Sequence, residues 1–86
     1  MNIDYSPEFA RRFKKLPKDL RVKALEKEKI FRSNPFDRSL KTHKLSGKLK
    51  RHLAFSVSYS CRIIFSILDN KNVRFHSIGG HDIYDI

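Results

Sequence analysis

HLAFSVSYSCRIIFSILDNKNVRFHSI, residues 52–78, alternates apolar and polar side chains through three short runs. Such alternation sends successive side chains to opposite faces of a sheet, and it predicts strands over Lys50–Ser58, Cys61–Leu68 and Asn72–Ile78. Leu53, Phe55 and Val57, then Cys61, Ile63, Phe65 and Ile67, then Val73 and Phe75 fall on one face. His52, Ala54, Ser56, Ser58, Arg62, Ile64, Ser66, Arg74 and His76 fall on the other. The connections at Tyr59-Ser60 and Asp69-Asn70-Lys71 are short enough for hairpins, so the three strands run antiparallel. The first face is predicted to receive helices. The second, basic and rich in Ala and Ser, is predicted to stay uncovered, with room for an anionic ligand or a protein partner.

The helices that cover the first face lie upstream. Asn2–Tyr5 reads as a brief edge strand. Ser6-Pro7-Glu8 then starts a helix: Ser6 caps it, Pro7 takes the first helical position where its missing N–H costs nothing, and Glu8 complements the dipole. Phe9, Phe13 and Leu16 follow at i, i+4 and i+7, with Arg11, Arg12, Lys14 and Lys15 on the remaining surface. Pro17 ends this helix. Leu20, Ala24 and Phe31 align on a second one, with Leu25 and Ile30 widening its apolar face, and Ser33-Asn34-Pro35 stops it. Residues 36–47 carry no sustained period and read as an ordered loop pinned by Phe36, Leu40 and Leu45. The predicted fold is α+β, a β-α-α-β-β-β domain with a helical hairpin packed on one face of an antiparallel sheet.

The chain has 86 residues, enough for one domain and one core. Its apolar fraction of 40%, with seven Phe and three Tyr, supports globular folding despite 33% charged residues. The formal charge is +10, from 19 Lys and Arg against nine Asp and Glu. Between Asn34 and Arg51 there are six basic side chains and one acidic, which makes this segment the electropositive focus. Its place beside predicted strands rather than in a tail points to a polyanion contact, nucleic acid above all. Lys44, Lys48, Lys50, Arg51, His52 and Arg74 are the predicted RNA-binding residues. The single cysteine, Cys61, leaves no intramolecular disulfide framework and reads as a buried small hydrophobe. The absence of a leader pattern in Met-Asn-Ile-Asp-Tyr and of any membrane-spanning run leads to the expectation of a cytoplasmic protein without membrane contact.

His43, His52, His76 and His81 lack the close pair spacings of zinc sites, and there is no Gly-rich phosphate loop or serine nucleophile elbow. No metal and no cofactor are expected. Metal-free RNA cleavage needs a base for the 2′-OH, an acid for the 5′-oxygen and fixed cations for the phosphate charge. His81 and His43 can shuttle protons, Arg62 can chelate a phosphate from a central strand, and Tyr84 can stack on a base or donate a proton. Gly79-Gly80 ends the last strand and allows the sharp turn that brings His81 and Tyr84 back toward the sheet.

The strand order, the run His43-Lys-Leu-Ser-Gly47, the strand Cys61-Arg-Ile-Ile-Phe65 and the ending Ile78-Gly-Gly-His-Asp-Ile-Tyr84 together resemble the RelE/ParE superfamily of bacterial toxin–antitoxin modules. Within it the sequence looks most similar to the RelE/StbE and YafQ-like branch, whose members are mRNA endonucleases that act mostly on the ribosome. The resemblance covers nearly the whole chain and implies a single RelE-like toxin domain over residues 1–86. It implies a metal-independent mRNA endoribonuclease, ribosome-dependent, that inhibits translation through attack of the 2′-OH on the scissile phosphate. His81 matches the catalytic His after the final strand, His43 the His that opens the H-x-L-x-G run, Arg62 the phosphate-holding arginine of the third strand, and Tyr84 the C-terminal aromatic. The His-x-x-x-Asp pair of YafQ-like toxins falls at Ser56 and Ser60, which leaves the general base open among His81, His43 and Lys50. The implied partners are mRNA, the ribosome with its 16S rRNA, and a cognate antitoxin whose acidic segment lies over Arg62, Lys50 and His81. The free toxin is expected as a monomer and the antitoxin complex as a hetero-oligomer. The alternatives are a ParE-type inhibitor of DNA gyrase and a non-catalytic RNA-binding module. ParE-type members generally lack a His and Tyr placed like His81 and Tyr84, and a binding module leaves these two residues after a double glycine without a purpose.

Overall fold

A computed structural model describes residues 1–84, so Asp85 and Ile86 at the end of the expected 1–86 domain lie outside the described residues. The chain runs through β1 (Asn2–Tyr5), α1 (Pro7–Lys15), α2 (Lys18–Ser33), β2 (His43–Lys44), β3 (Leu53–Ser58), β4 (Cys61–Ile67) and β5 (Asn72–Gly79). Short 3-10 turns occupy Arg38–Leu40, Gly47–Leu49 and His81–Tyr84.

The start of α1 forms as its sequence dictates. Ser6 Oγ accepts from the N–H of Phe9 at 3.0 Å, Pro7 is the first helical residue, and Glu8 sits in the first turn. The same hydroxyl donates to the carbonyl of His76 at 2.7 Å, so the cap also fastens the helix to β5. Leu16 leaves the helix in extended conformation ahead of Pro17, and Asn34 ends α2 with its N–H on the carbonyl of Ile30. Phe31 is fully buried, ringed by Phe55, Phe65 and Phe75 at centroid distances of 5.0, 4.9 and 5.3 Å. Phe55 stacks on Phe31 while Phe65 and Phe75 meet it edge to face; such contacts add to the area each ring buries, and they make Phe31 the hub of the main core. Leu25, expected on the apolar face of α2, is 52% exposed, because the sheet contacts end at the Ala24–Phe31 stripe.

The five strands form one sheet in the order β1-β5-β4-β3-β2. Three differences from the sequence expectation follow from long-range pairing. First, the sheet is mixed: β1 lies parallel to β5, with Tyr5 opposite Phe75, because the two helices carry the chain across one face before it returns. Second, the segment read as a loop contributes the two-residue edge strand β2, His43 opposite Ala54, and the predicted strand from Lys50 begins only at Leu53, after the Gly47–Leu49 turn. Third, Phe65 pairs with Phe75 but Ile64 pairs with Ser77, so His76 is the extra residue of a β-bulge. The bulge lets Phe75 and Ile78 both enter the main core, which strict alternation forbids.

The second sheet face is also not bare. Leu49, Ile64 and Ile83 make a separate buried cluster, with Leu45 and Tyr84 packed against it. The Gly47–Leu49 and His81–Tyr84 turns fold over the middle of that face, where Ala54 and Ser77 are small enough to admit them, and both become fully buried. Ile67, predicted to face the core, is exposed at the far end of β4.

Candidate functional site

The cap of apolar side chains divides the second face into two polar ends. At the end near the β3–β4 hairpin, Tyr59, Ser60, Arg62, Gly80, His81 and Tyr84 line an open cleft of about 310 Å³. Arg62 projects from β4, opposite Ser56 on one side and Gly79 on the other. Its Nη1 donates to Ser56 Oγ at 3.2 Å and to the carbonyl of Ser58 at 3.4 Å, which anchors one edge of the guanidinium and leaves its other donors for a ligand.

His81 and Tyr84 reach the cleft because the chain reverses at Gly79. This residue has φ +154°, and a Cβ there would stand 2.9 Å from Ile83 Cγ2, so the turn closes only without a side chain. Ile83 is then buried against Ile64 and pulls the turn onto the sheet. Asp82 is tied to α1: Arg12 Nη1 donates to its Oδ2 at 2.8 Å, and that guanidinium holds the carboxyl below the usual carboxylate range. The rings of His81 and Tyr84 stand 6.2 Å apart between centroids. A cation that can clamp phosphate, an imidazole and a phenol thus converge on one solvent-open cleft.

His43 is not part of it. The residue sits on the edge strand in the row of Ala54 and Ile64, and its Nδ1 lies 3.0 Å from the carbonyl of Lys41. With strands about 4.8 Å apart and residues rising about 3.3 Å, its Cα is roughly 12 Å from that of Arg62 on the same face. The predicted RNA-binding residues are likewise spread. Lys48 lines a neighbouring hollow with Leu45, Ser46 and Leu49, and this hollow shares Tyr84 with the cleft. Lys50 and Arg51 are exposed in the turn before β3, and Lys44 lies on β2 opposite Leu53.

His52 and Arg74 belong to the opposite polar end. His52 packs edge to face on His76 at 4.6 Å, and His76 Nε2 is 2.7 Å from Ser66 Oγ. Burial lowers the pKa of His76, and the charges of His52 and Arg74 lower it further. Arg74 is ion-paired with Asp4 across the parallel β1–β5 ladder. Its cation is therefore already compensated, and by strand rise it stands about 13 Å along the sheet from Arg62. Neither residue is positioned to share a ligand with the cleft at close range.

Part of the site is invisible to sequence reasoning. Tyr59 and Ser60 read only as a turn, and nothing local announces the Arg12–Asp82 pair, whose partners lie 70 positions apart. The usable signal is a large aromatic in a two-residue hairpin, where packing gives it no role. Between α1 and α2 a further, mostly apolar hollow of about 300 Å³ is lined mainly by Phe9, Phe13, Ala24, Leu25 and Phe75, with Tyr5, Lys14 and Glu28 at its edge. Among the described residues His, Cys, Asp and Glu form no group of three that could hold a metal ion, and no helix is long and apolar enough to cross a membrane.

No family model and no curated protein matches the sequence. Solved structures do match the fold. A YoeB/ParE toxin from Agrobacterium tumefaciens superposes with a TM-score of 0.80 over 94% of this chain and 99% of its own, at 10% identity. The YoeB–YefM complex from Staphylococcus aureus matches at TM-score 0.77 and 21% identity, over 94% of this chain and 97% of the other. YafQ from E. coli matches at 0.72 and 22% identity, over 96% of each chain. The S. aureus pair is a toxin–antitoxin complex. What these likenesses show is a shared fold.

Proposed function

We propose, from the RelE/ParE-type toxin fold that this chain adopts, that it is the toxin of a type II toxin–antitoxin pair and a metal-independent mRNA endoribonuclease acting on the translating ribosome. The observation that carries this reading is the convergence of Arg62, His81 and Tyr84 on one cleft. Cleavage proceeds by attack of a ribose 2′-oxygen on the adjacent phosphorus, with the P–O5′ bond breaking to leave a 2′,3′-cyclic phosphate and a 5′-hydroxyl. A base removes the 2′-OH proton while an acid protonates the departing 5′-oxygen. In-line displacement sets these two oxygens on opposite sides of phosphorus, so base and acid must stand apart across the phosphate. The separation of the His81 and Tyr84 rings, 6.2 Å between centroids, supports these two residues as the base and acid pair. His81 serves as the base and the Tyr84 hydroxyl as the proton donor. The free edge of the Arg62 guanidinium binds the non-bridging oxygens, where charge grows in the transition state.

The formal charge of +10 on 86 residues supplies the non-specific attraction to RNA, and Lys48 extends the positive surface from the cleft past Tyr84. The same surface suits an antitoxin with an acidic segment lying over Arg62, Lys50 and His81, which blocks the cleft and neutralises its charge together.

Primer extension on a defined mRNA, translated in a bacterial cell-free system with wild-type protein or His81→Ala, tests the reading. New 5′ ends inside the reading frame that disappear with His81→Ala are the expected result. Intact mRNA with the wild-type protein overturns it and turns attention to gyrase poisoning, the other activity associated with this fold.

A further inference from the structure

Tyr59 is the most exposed large hydrophobic side chain among the described residues, with 100% of its surface open to solvent. A lone exposed aromatic is ordinary and by itself carries no meaning. Its position does. Tyr59 and Ser60 are the two residues of the β3–β4 turn, and both line the cleft that holds Arg62, His81 and Tyr84. The turn is held in place from two sides. Behind it Cys61 is buried in the main core, opposite Ser58 in the ladder. In front, the carbonyl oxygen of Ser60 lies 3.4 Å from where a Cβ on Gly80 would stand, so the hairpin tip packs on the residue next to His81. Tyr59 is thus an unpartnered ring at the rim of the cleft, on a short tip that packs beside the proposed base.

A flat, amphipathic ring beside a phosphate-binding cation has a clear chemical use: the face of a nucleobase stacks on it while the backbone runs to the cation. The cleft volume of about 310 Å³ lies at the small end of ligand sites and suits a nucleotide-sized group rather than a duplex. We infer that Tyr59 is the base-stacking platform for a nucleotide flanking the scissile phosphate, and that it contributes to the choice of cleavage site. This rests on the ribonuclease reading of the cleft. Because stacking grows with ring area, purines at the Tyr59 position are favoured over pyrimidines.

Mapping of cleavage sites in the cell-free translation system, with protein concentration varied, tests the inference. Base–aromatic stacking is worth enough that Tyr59→Ala raises the concentration for half-maximal cutting roughly 5- to 100-fold. The same variant flattens the base preference at one position beside the cut, and Tyr59→Phe, which keeps the ring, recovers both. Circular dichroism melting of the Tyr59→Ala protein checks that the fold is intact, as the full exposure of Tyr59 predicts. Unchanged dose dependence and an unchanged distribution of cut sites with Tyr59→Ala overturn the inference while leaving the nuclease standing. Absence of cutting by the wild-type protein overturns the nuclease reading and the role of Tyr59 with it.

Discussion

Arg12 on α1 and Asp82 in the C-terminal turn are joined by a 2.8 Å charge-assisted hydrogen bond, and this pair links the helical layer to the segment that carries His81 and Tyr84. Glu8, one helical turn before Arg12, lies 3.5 Å from the Arg12 Nε and steadies the guanidinium. Both partners are partly solvated, so the pair contributes little to global stability. Its effect is local, since it fixes where the turn sits over the sheet. Arg12→Ala and Asp82→Asn are expected to lower the cutting rate while moving the melting temperature little, and the double exchange Arg12→Asp with Asp82→Arg is expected to restore part of the rate. The pH dependence has a defined sign. The pKa of Asp82 is depressed by Arg12, so the contact is present above the ordinary carboxylate range and is lost as pH falls through the lowered value.

Arg62 is expected to matter to rate far more than to folding. Its side chain is half-buried, and among the described residues its hydrogen bonds go to Ser56 and the Ser58 carbonyl. Removing one charge-stabilising donor at a reacting phosphate costs roughly 100- to 1000-fold in rate. Arg62→Ala should show that loss with a near wild-type melting curve. Arg62→Lys should recover only part of it, because an ammonium group lacks the planar fork that grips two oxygens. Single-turnover cleavage of a reporter mRNA, alongside thermal melting, measures both effects.

Two glycines with positive φ separate conformational strain from steric conflict. Gly47 has φ +66° and open space within 4 Å of where a Cβ would stand, whereas Gly79 has φ +154° and Ile83 Cγ2 at 2.9 Å. Gly47→Ala is expected to cost about 1 kcal/mol from backbone preference alone. Gly79→Ala bears the backbone strain of roughly 1–3 kcal/mol and must also push Ile83 out of the Leu49–Ile64–Ile83 cluster. Urea unfolding should therefore rank Gly79→Ala well below Gly47→Ala, and only Gly79→Ala should displace the amide resonances of His81–Tyr84.

His76 gives the protein an acid-side weakness distinct from that of Asp82. Burial is the main cause of its lowered pKa, helped by the charges of His52 and Arg74, against smaller opposing contributions from Asp4 and Glu8. The unfolded chain binds a proton here more readily than the folded one, so stability falls as pH drops below the ordinary value of 6.5 toward the lowered one. His76→Gln, which can keep the bond to Ser66, is expected to flatten this decline. Urea unfolding at about pH 7 and about pH 5, on either side of the histidine range, measures it.

Near neighbours along the chain specify much of this fold. The Ser6-Pro7 start of α1, the Phe9–Phe13–Leu16 stripe, the Asn34-Pro35 stop and the alternation of β3 and β4 all rest on contacts within a few residues. They are legible because helix and strand periods are local. The return of His81 and Tyr84 toward Arg62 was legible for a similar reason, since a double glycine announces a reversal directly after a strand. Tertiary structure alone decided which distant segments meet. The parallel seat of β1 beside β5 pairs Asp4 with Arg74 and removes a cation that composition had counted as free. The bulge at His76 changes which residues of β5 face the core. Leu49 and Ile83, in stretches without any period, find each other only because Ile64 offers an apolar surface between small neighbours. His43 drops out of the cleft because sheet order sets it two strands from Arg62, a separation that no spacing along the chain encodes.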